Sequence, residues 1–441
     1  MSESVWRERF GAALEGAMAR AEDAQRRRRL IACGFTANLD RVVAFDQDVA
    51  DRLFVGRAVD VAGPRVTRAG DVDALLTGIA QCVACGEGCD FPVADPAVQD
   101  WLLGHVAGRV QIGGTGAQAA ATLAALGFPA LLHLTSRSPE LIAALPGQER
   151  ITIGSPDGLL PIAQGRDAAA TMWHVVLEFA AGLRVPGPAA PAAPAANRVI
   201  VSYDPVNSAF VIDPGFDAAL NDPGLDIRTL LISGFSQASA RQTLERVLWD
   251  TAVALRIWRA VRPDLLVHLE LGAMPDATAM LRILEVLHPL VGSIGLNIDE
   301  LRQVLRALGM EMAPAGPKLA AQFRALAERF PAPRWSLHTR ELCLTVTDGD
   351  AEAERDALLF GSLTAAARAR LGDFPVVADL DAALAAGVPN AAGMALLCTL
   401  AIAGDGYGGD GLVATPGLCI DGTRASVGLG DSFTAGVLAG L

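Results

Sequence analysis

Short apolar or β-branched runs alternate with longer Ala/Leu/Arg-rich segments along most of this chain, and that alternation restricts it to a mostly parallel sheet covered by helices. The runs predict strands at 30–34, 130–134, 229–232, 265–270, 293–296, 337–346 and 411–414. Helices are predicted at 4–28, 116–126, 238–260, 276–288, 298–308, 318–329, 353–371 and 390–403. Two regions break the rhythm. Residues 46–108 are irregular and hold a cysteine cluster, while 168–213 alternates strand-like runs around an Ala/Pro run at 186–196, which proline keeps out of helices and central strands. The expected organisation is a large α/β domain made of 1–45, 109–167 and 214–441, with 46–108 and 168–213 forming a smaller β-rich inserted lid.

Composition then removes whole classes of function. Lys318 is the only lysine, and its Pro-Ala-Gly-Pro-Lys-Leu-Ala setting is neither a Walker A loop nor a protein-kinase strand. A formal charge of -13 argues against nucleic acid or an anionic membrane as partner. The run Arg26–Arg29 reads as a solvated helix face. The uncharged stretches 110–136 and 382–404 reach membrane-span length but are interrupted by Gly113, Gly114, Gln118, Pro129, Pro389 and Asn390, so they are expected to be buried core. No secretory signal opens the chain, and a cytoplasmic location is expected. Cys82, Cys85 and Cys89 are expected as free thiols, with a zinc site or a disulfide as the alternatives, and Cys33, Cys343, Cys398 and Cys419 as core.

The chemistry concentrates at the C-terminus, in Val427-Gly428-Leu429-Gly430-Asp431-Ser432. A Gly-x-Gly turn entering a helix presents backbone N–H groups to an anion, and Asp431 in the same turn could take a proton from a hydroxyl while the hole holds the phosphoryl group under attack. Asn297 and Glu300 stand three apart at a strand-to-helix junction, suited to a hydrated Mg²⁺. His268 and Glu270 share one face near the end of a predicted strand. Asn38 and Asp40 after the first strand suit sugar hydroxyls, and Gly113-Gly114 opens a helix where backbone can approach a ligand. Each element also has a purely structural reading: Asp431 and the Asn297/Glu300 pair as caps, His268 as a satisfied buried ring, the rest as turn chemistry.

In this order the motifs resemble the ADP-dependent glucokinase and phosphofructokinase family of the ribokinase-like superfamily. They are Asn38-x-Asp40, Gly113-Gly114, His268-x-Glu270, Asn297-x-x-Glu300 and Gly428-x-Gly430-Asp431, with further echoes in His174 to Phe179, Asn197 to Ile200, Ile232 to Gly234 and Leu337 to Thr339. The resemblance implies a three-layer α/β/α large domain with a β-rich lid, and Mg²⁺-dependent transfer of the ADP β-phosphoryl group to glucose or fructose 6-phosphate, releasing AMP. It implies Asp431 as base with Gly428 and Gly430 in the anion hole. Asn297 and Glu300 would organise Mg²⁺, supported by Glu270 and His268. Asn38, Asp40, Gly113, Gly114 and His174 would line the sugar. Arg198, His338, Thr339, Val427, Leu429 and the loop 413–424 would border the nucleotide. A sugar phosphate would further need cations such as Arg52, Arg57, Arg65, Arg68 or Arg184. The alternatives are an ATP-dependent ribokinase-like carbohydrate or nucleoside kinase and a non-catalytic homologue. The expected partners are small molecules only, and the expected assembly a monomer or small homo-oligomer.

Overall fold

The computed structural model describes residues 2–57, 59–185, 191–238, 241–274, 276–400, 411–424 and 427–441. The first half of the Ala/Pro run, the starts and ends of two expected helices (239–240 and 401–403) and Ser426 lie outside the described residues.

Among the described residues ten strands form the main sheet, in the order Leu412–Pro416, Leu342–Thr347, Arg334–His338, Ser293–Asn297, Leu266–Glu270, Ile227–Ile232, Leu30–Cys33, Ala130–Leu132, Ile151–Ser155 and Gly158–Pro161. Those from Arg334–His338 to Ile151–Ser155 run parallel, with antiparallel partners at both edges. Central strands covered on both faces need unbroken apolar runs, and Leu230, Leu231 and Ile232 are all fully buried. One helical layer contains Glu3–Arg27, Thr115–Ala125, Ala351–Leu371 and Leu429–Gly440. The other contains Pro214–Asn221, Arg241–Val261, Ala277–Leu287, Ile298–Ala307 and Pro317–Arg329. Trp6, Phe10, Ala13 and Ala17 recur at helical spacing and bury the first helix against its layer. The architecture is the expected α/β/α sandwich.

The single strand expected over 337–346 is instead a hairpin. Thr339 makes the turn: its hydroxyl accepts from the N–H groups of Glu341 and Leu342 and donates to the Leu342 carbonyl. A hydroxyl that closes its own backbone turn folds the run back on itself.

A second sheet has the order Cys89–Pro92, Asn197–Ser202, Trp173–Phe179, Asn38–Ala44 and Arg109–Gly113. Its two faces follow from period-two alternation. Val43, Phe91, Val175, Leu177, Phe179, Val199 and Val201 pack on one side into a separate core with the helices Gln47–Leu53, Val72–Cys85 and Pro96–His105. The other side carries Asn38, Asp40, Asp90, Gln111, His174 and Arg198 in register. Two of these strands, 38–44 and 109–113, fall inside stretches expected to belong to the large domain. Hydrogen bonding draws the border where strand alternation begins, not where composition shifts.

The cysteines depart from expectation. Cys82 and Cys89 pair as a disulfide, tying the end of the helix Val72–Cys85 to the neighbouring strand, and Cys85 is free and exposed. Cys33 and Cys343 are buried as expected, but Cys398 is exposed and Cys419 only partly covered. Cys398 lies in the last turn of the helix Ala391–Thr399 and Cys419 in a two-stranded ribbon with Val388–Pro389, where an apolar run does not guarantee burial. Among the described residues no helix is long and apolar enough to cross a membrane.

Candidate active site

The C-terminal ends of three adjacent parallel strands deliver Glu270, Asn297 and His338 to one rim of the main sheet. Side chains two apart share a face, so these residues stand above His268, Gly295 and Ser336 on the side covered by the terminal helix. That helix begins at Gly428, whose φ of 77° is left-handed. The first N–H groups of a helix have no partner within it, so Leu429, Gly430 and Asp431 present donors at the rim, with the helix dipole favouring an anion there. Thr115, at the start of the neighbouring helix, hydrogen-bonds the Asp431 carboxylate.

Asp431 is the outstanding electrostatic feature. Burial first, and then the negative charges of Glu270 and Asp40, push its carboxyl up to about 6 against the hydrogen bond from Thr115. Glu300 is pushed well above the usual range by burial and by Glu270 and Asp431. Glu270 goes the other way. Burial acts to raise it, but the His268 hydrogen bond at 2.8 Å and the nearby histidines outweigh that and keep it ionised. His338, partly covered and tilted against Phe433 with ring centres 4.8 Å apart, is held below the usual imidazole range by the protein around it.

Asn297 and Glu300 form a reciprocal cap. The Asn297 carboxamide oxygen accepts from the N–H groups of Asp299 and Glu300, while the Glu300 carboxylate accepts from the Asn297 backbone at 2.7 Å and side chain at 2.9 Å. Asn297 therefore spends its carboxamide on orienting Glu300. Among the described residues no three His, Cys, Asp or Glu side chains converge as a ready metal cage. Glu270 nonetheless raises the proton affinity of Glu300 and Asp431, as happens among oxygen donors where a cation is the missing counter-charge.

Facing this rim, the second sheet supplies a polar floor. Asn38 donates to Asp40 at 2.7 Å, and His174 bonds Asp204 at 2.9 Å. Burial alone would lower the His174 pKa, but Asp204, Asp40 and Asp90 hold its proton on and raise it. Asp40 and Asp90 are both raised, chiefly because protein surrounds them, and Asp90 still opens to the cleft. Gly113 lies opposite Asn38, and a Cβ there would overlap both the Asn38 amide and the Asp40 carboxylate. Gly114 starts the next helix at a φ of 83°.

The sequence-derived candidates thus divide. Asn38, Asp40, Gly113, Gly114, His174, Glu270, Glu300, His338, Gly428, Gly430 and Asp431 come together around the cleft. Thr339 does not offer its side chain, which closes the hairpin. Val427 is buried against Val42 and Val176 of the second sheet, while Leu429 contributes backbone. Arg198 lies on the cleft face opposite Glu178. Arg57 and Arg65 pair with Asp73 and Glu87 on the far side of the second sheet, so neither serves the cleft. Residues that sequence reasoning missed include Asp204, Thr115 and Arg368. Arg368 is 1% exposed, stacks on Phe374 at 3.8 Å, has no hydrogen bond at Nε or Nη1 although Nη1 lies 3.6 Å from Asp373, and draws the Asp431 pKa down. One Arg among three in an Ala-rich helix gives no pattern to find it by.

Three comparisons bear on this geometry. The conserved region of ADP-specific phosphofructokinases and glucokinases matches residues 29–440. The ADP-dependent glucose/glucosamine kinase of Pyrococcus furiosus is 28% identical over 216 residues, 47% of this chain and 46% of that protein. Its counterpart from Pyrococcus abyssi is 26% identical over 323 residues, 70% of this chain and 69% of that protein. The chain thus aligns with less than half of the first relative's length. Among solved structures, an ADP-dependent kinase in complex with fructose-6-phosphate and ADPβS superposes with a TM-score of 0.81 at 18% identity, covering 100% of this chain and 98% of the other. A phosphofructokinase from Pyrococcus horikoshii OT3 with AMP gives 0.73 at 18% identity, covering 93% and 97%. These likenesses establish the fold.

Proposed function

The chain belongs to the ADP-specific phosphofructokinase/glucokinase family, and from that premise we propose that it transfers the β-phosphoryl group of ADP to a sugar hydroxyl and releases AMP. The observation that carries this reading is Asp431, a carboxyl poised at about 6 where the anion-binding turn of the terminal helix meets the sugar-suited face of the second sheet. The second sheet acts as the lid over the large domain. Asn38, Asp40 and His174 orient the sugar. Asp431 accepts the proton of the attacking hydroxyl as its oxygen bonds to phosphorus, while the N–H groups at Leu429 and Gly430 hold the phosphoryl oxygens and AMP departs. His338 and Arg198 border the nucleotide.

An ionised Glu270 beside Glu300, whose proton affinity Glu270 and Asp431 raise, is an oxygen-donor pair that fits a hydrated Mg²⁺, which retains waters and does not need an all-protein cage. Glu270 and Glu300 would hold it, with Asn297 orienting Glu300. Bound there, Mg²⁺ supplies charge neutralisation at the phosphate oxygens. Glu300→Gln should raise the Mg²⁺ concentration needed for half-maximal rate by about tenfold or more and leave the sugar KM within twofold. A fall in sugar affinity at unchanged Mg²⁺ dependence contradicts the assignment.

Between glucose and fructose 6-phosphate, the cleft face favours the uncharged sugar, because Asp40 and Asp90 sit beside His174 where an added phosphate would meet two carboxyls. Gly113→Ala drives a methyl into the Asn38–Asp40 pair. It should raise the sugar KM about tenfold, the cost of roughly one hydrogen bond, and leave the ADP KM unchanged. The whole reading is tested by incubating ADP or ATP with glucose or fructose 6-phosphate and Mg²⁺ and measuring the phosphorylated sugar together with the AMP or ADP released. AMP from ADP and glucose is expected. Turnover with ATP alone removes the ADP claim, and no turnover with any pair leaves a binding protein.

A further inference from the structure

Behind Glu270 a run of buried polar groups crosses three neighbouring strands and ends on a helix. His268 pairs in register with Ser293, and Arg334 opens the next strand over. Glu354 faces them from the helix Ala351–Leu371. Ser293 is 0% exposed, and His268, Arg334 and Glu354 are buried as well. Arg334 grips Glu354 through Nε and Nη2, both at 2.8 Å, and donates from Nη1 to Ser293 Oγ at 2.9 Å. Ser293 Oγ lies 2.7 Å from His268 Nδ1, and His268 Nε2 lies 2.8 Å from Glu270 Oε2.

The direction of this run follows from the partners in reach. A guanidinium only donates, so Ser293 accepts from Arg334, and among the described hydrogen bonds its hydroxyl proton has no acceptor other than Nδ1. A hydroxyl donating to Nδ1 requires that nitrogen to be bare, which puts the proton of the neutral ring on Nε2, aimed at Glu270. Gly295, opposite Glu270, leaves the room this needs, since a Cβ there would overlap the Glu270 carboxylate and press on the His268 ring.

We propose that Ser293, held by the Arg334–Glu354 pair, is a positioning residue of the active centre: it fixes His268 as the Nε2–H tautomer and through it keeps the Glu270 carboxylate in one orientation towards the phosphoryl-transfer site. The proposal rests on the reading of Glu270 as part of that site. None of the three residues behind His268 reaches the cleft, so their effect passes through the ring. A fully satisfied buried network specifies a single arrangement, and a half-satisfied one does not.

The test begins with the metal-free wild-type protein labelled with ¹⁵N-histidine, the His268 signals being assigned by their loss in His268→Asn. The expected spectrum at neutral pH shows a bare Nδ1 and a protonated Nε2. A protonated Nδ1 overturns the proposal without any variant having to fold. In Ser293→Ala the Nδ1 signal should move towards that of a nitrogen without a donor, and the Mg²⁺ requirement of the reaction should rise about tenfold with the sugar KM within twofold. A folded Ser293→Ala protein with both quantities unchanged also overturns it. The spectrum needs no substrate, so an incorrect donor or sugar assignment leaves this test intact.

Discussion

Asp431→Asn should lower kcat by about 10² to 10⁴-fold, the range a positioned general base contributes, while sugar and nucleotide binding survive. The isosteric amide keeps the volume and an acceptor for Thr115 but cannot take the hydroxyl proton. A second consequence separates this from simple damage. In the folded chain the carboxyl is raised from 3.8 to about 6, so ionising it there opposes folding. The sign follows from proton uptake: between pH 3.8 and about 6 the folded state binds more protons than the unfolded chain, so stability falls as pH rises through that window and the full cost remains above it. That cost is at most about 3 kcal/mol. Asp431→Asn should therefore melt no lower than wild type at pH 8, and its advantage should disappear near pH 4. Wild-type kcat/KM should fall below about pH 6 as Asp431 takes up its proton. A variant that is both inactive and clearly less stable at pH 8 would mean that Asp431 is a structural cap and not a strained base.

Gly428→Ala should be nearly as severe. Its φ of 77° costs a non-glycine residue about 1–2 kcal/mol, and a Cβ there would overlap Gln118 Oε1. The Gln118 oxygen has no partner and its flexible side chain can give way, so the left-handed φ itself is what displaces the turn that presents the N–H groups. Loss of aligned donors at such a site costs about 10² to 10³-fold in kcat. Gly309→Ala is the control: its φ of 72° is just as left-handed, but nothing lies within 4 Å of the added carbon. It should share the backbone penalty and keep the activity. Equal losses of activity in the two variants would trace the effect to general destabilisation.

What could be read from the sequence was whatever the backbone period decides. His268 and Glu270 are two apart on a strand and Asn297 and Glu300 three apart at a helix start, so their faces follow from local geometry, and the rim they build was legible. The role of Asn297 was less so, because a cap and a metal site use the same spacing and only the paired hydrogen bonds tell them apart. Thr339 failed for the same reason in reverse, its hydroxyl being consumed by a turn inside the stretch 337–346 expected as one strand. Ser293, Arg334 and Glu354 are separated by up to 61 positions in the chain and are joined only by strand order, which the sequence did not reveal. The pairing of Cys82 with Cys89, and not with Cys85, likewise depends on which strand the helix end abuts.

Val427 carries a consequence for energetics. It precedes the phosphate-facing turn by one residue, yet its side chain is packed against Val42 and Val176, on the strands that also bear Asp40 and His174. On the proposed reading, the segment that would grip the nucleotide is thus fastened to the sheet that would grip the sugar, and neither can be ordered without ordering part of the other. Two ligands that share a moving part have a coupling free energy, and linkage makes it the same in both directions. If the proposed sites hold, saturating the protein with sugar should tighten ADP by the same factor by which ADP tightens the sugar, and shortening Val427 to alanine should bring that factor towards one.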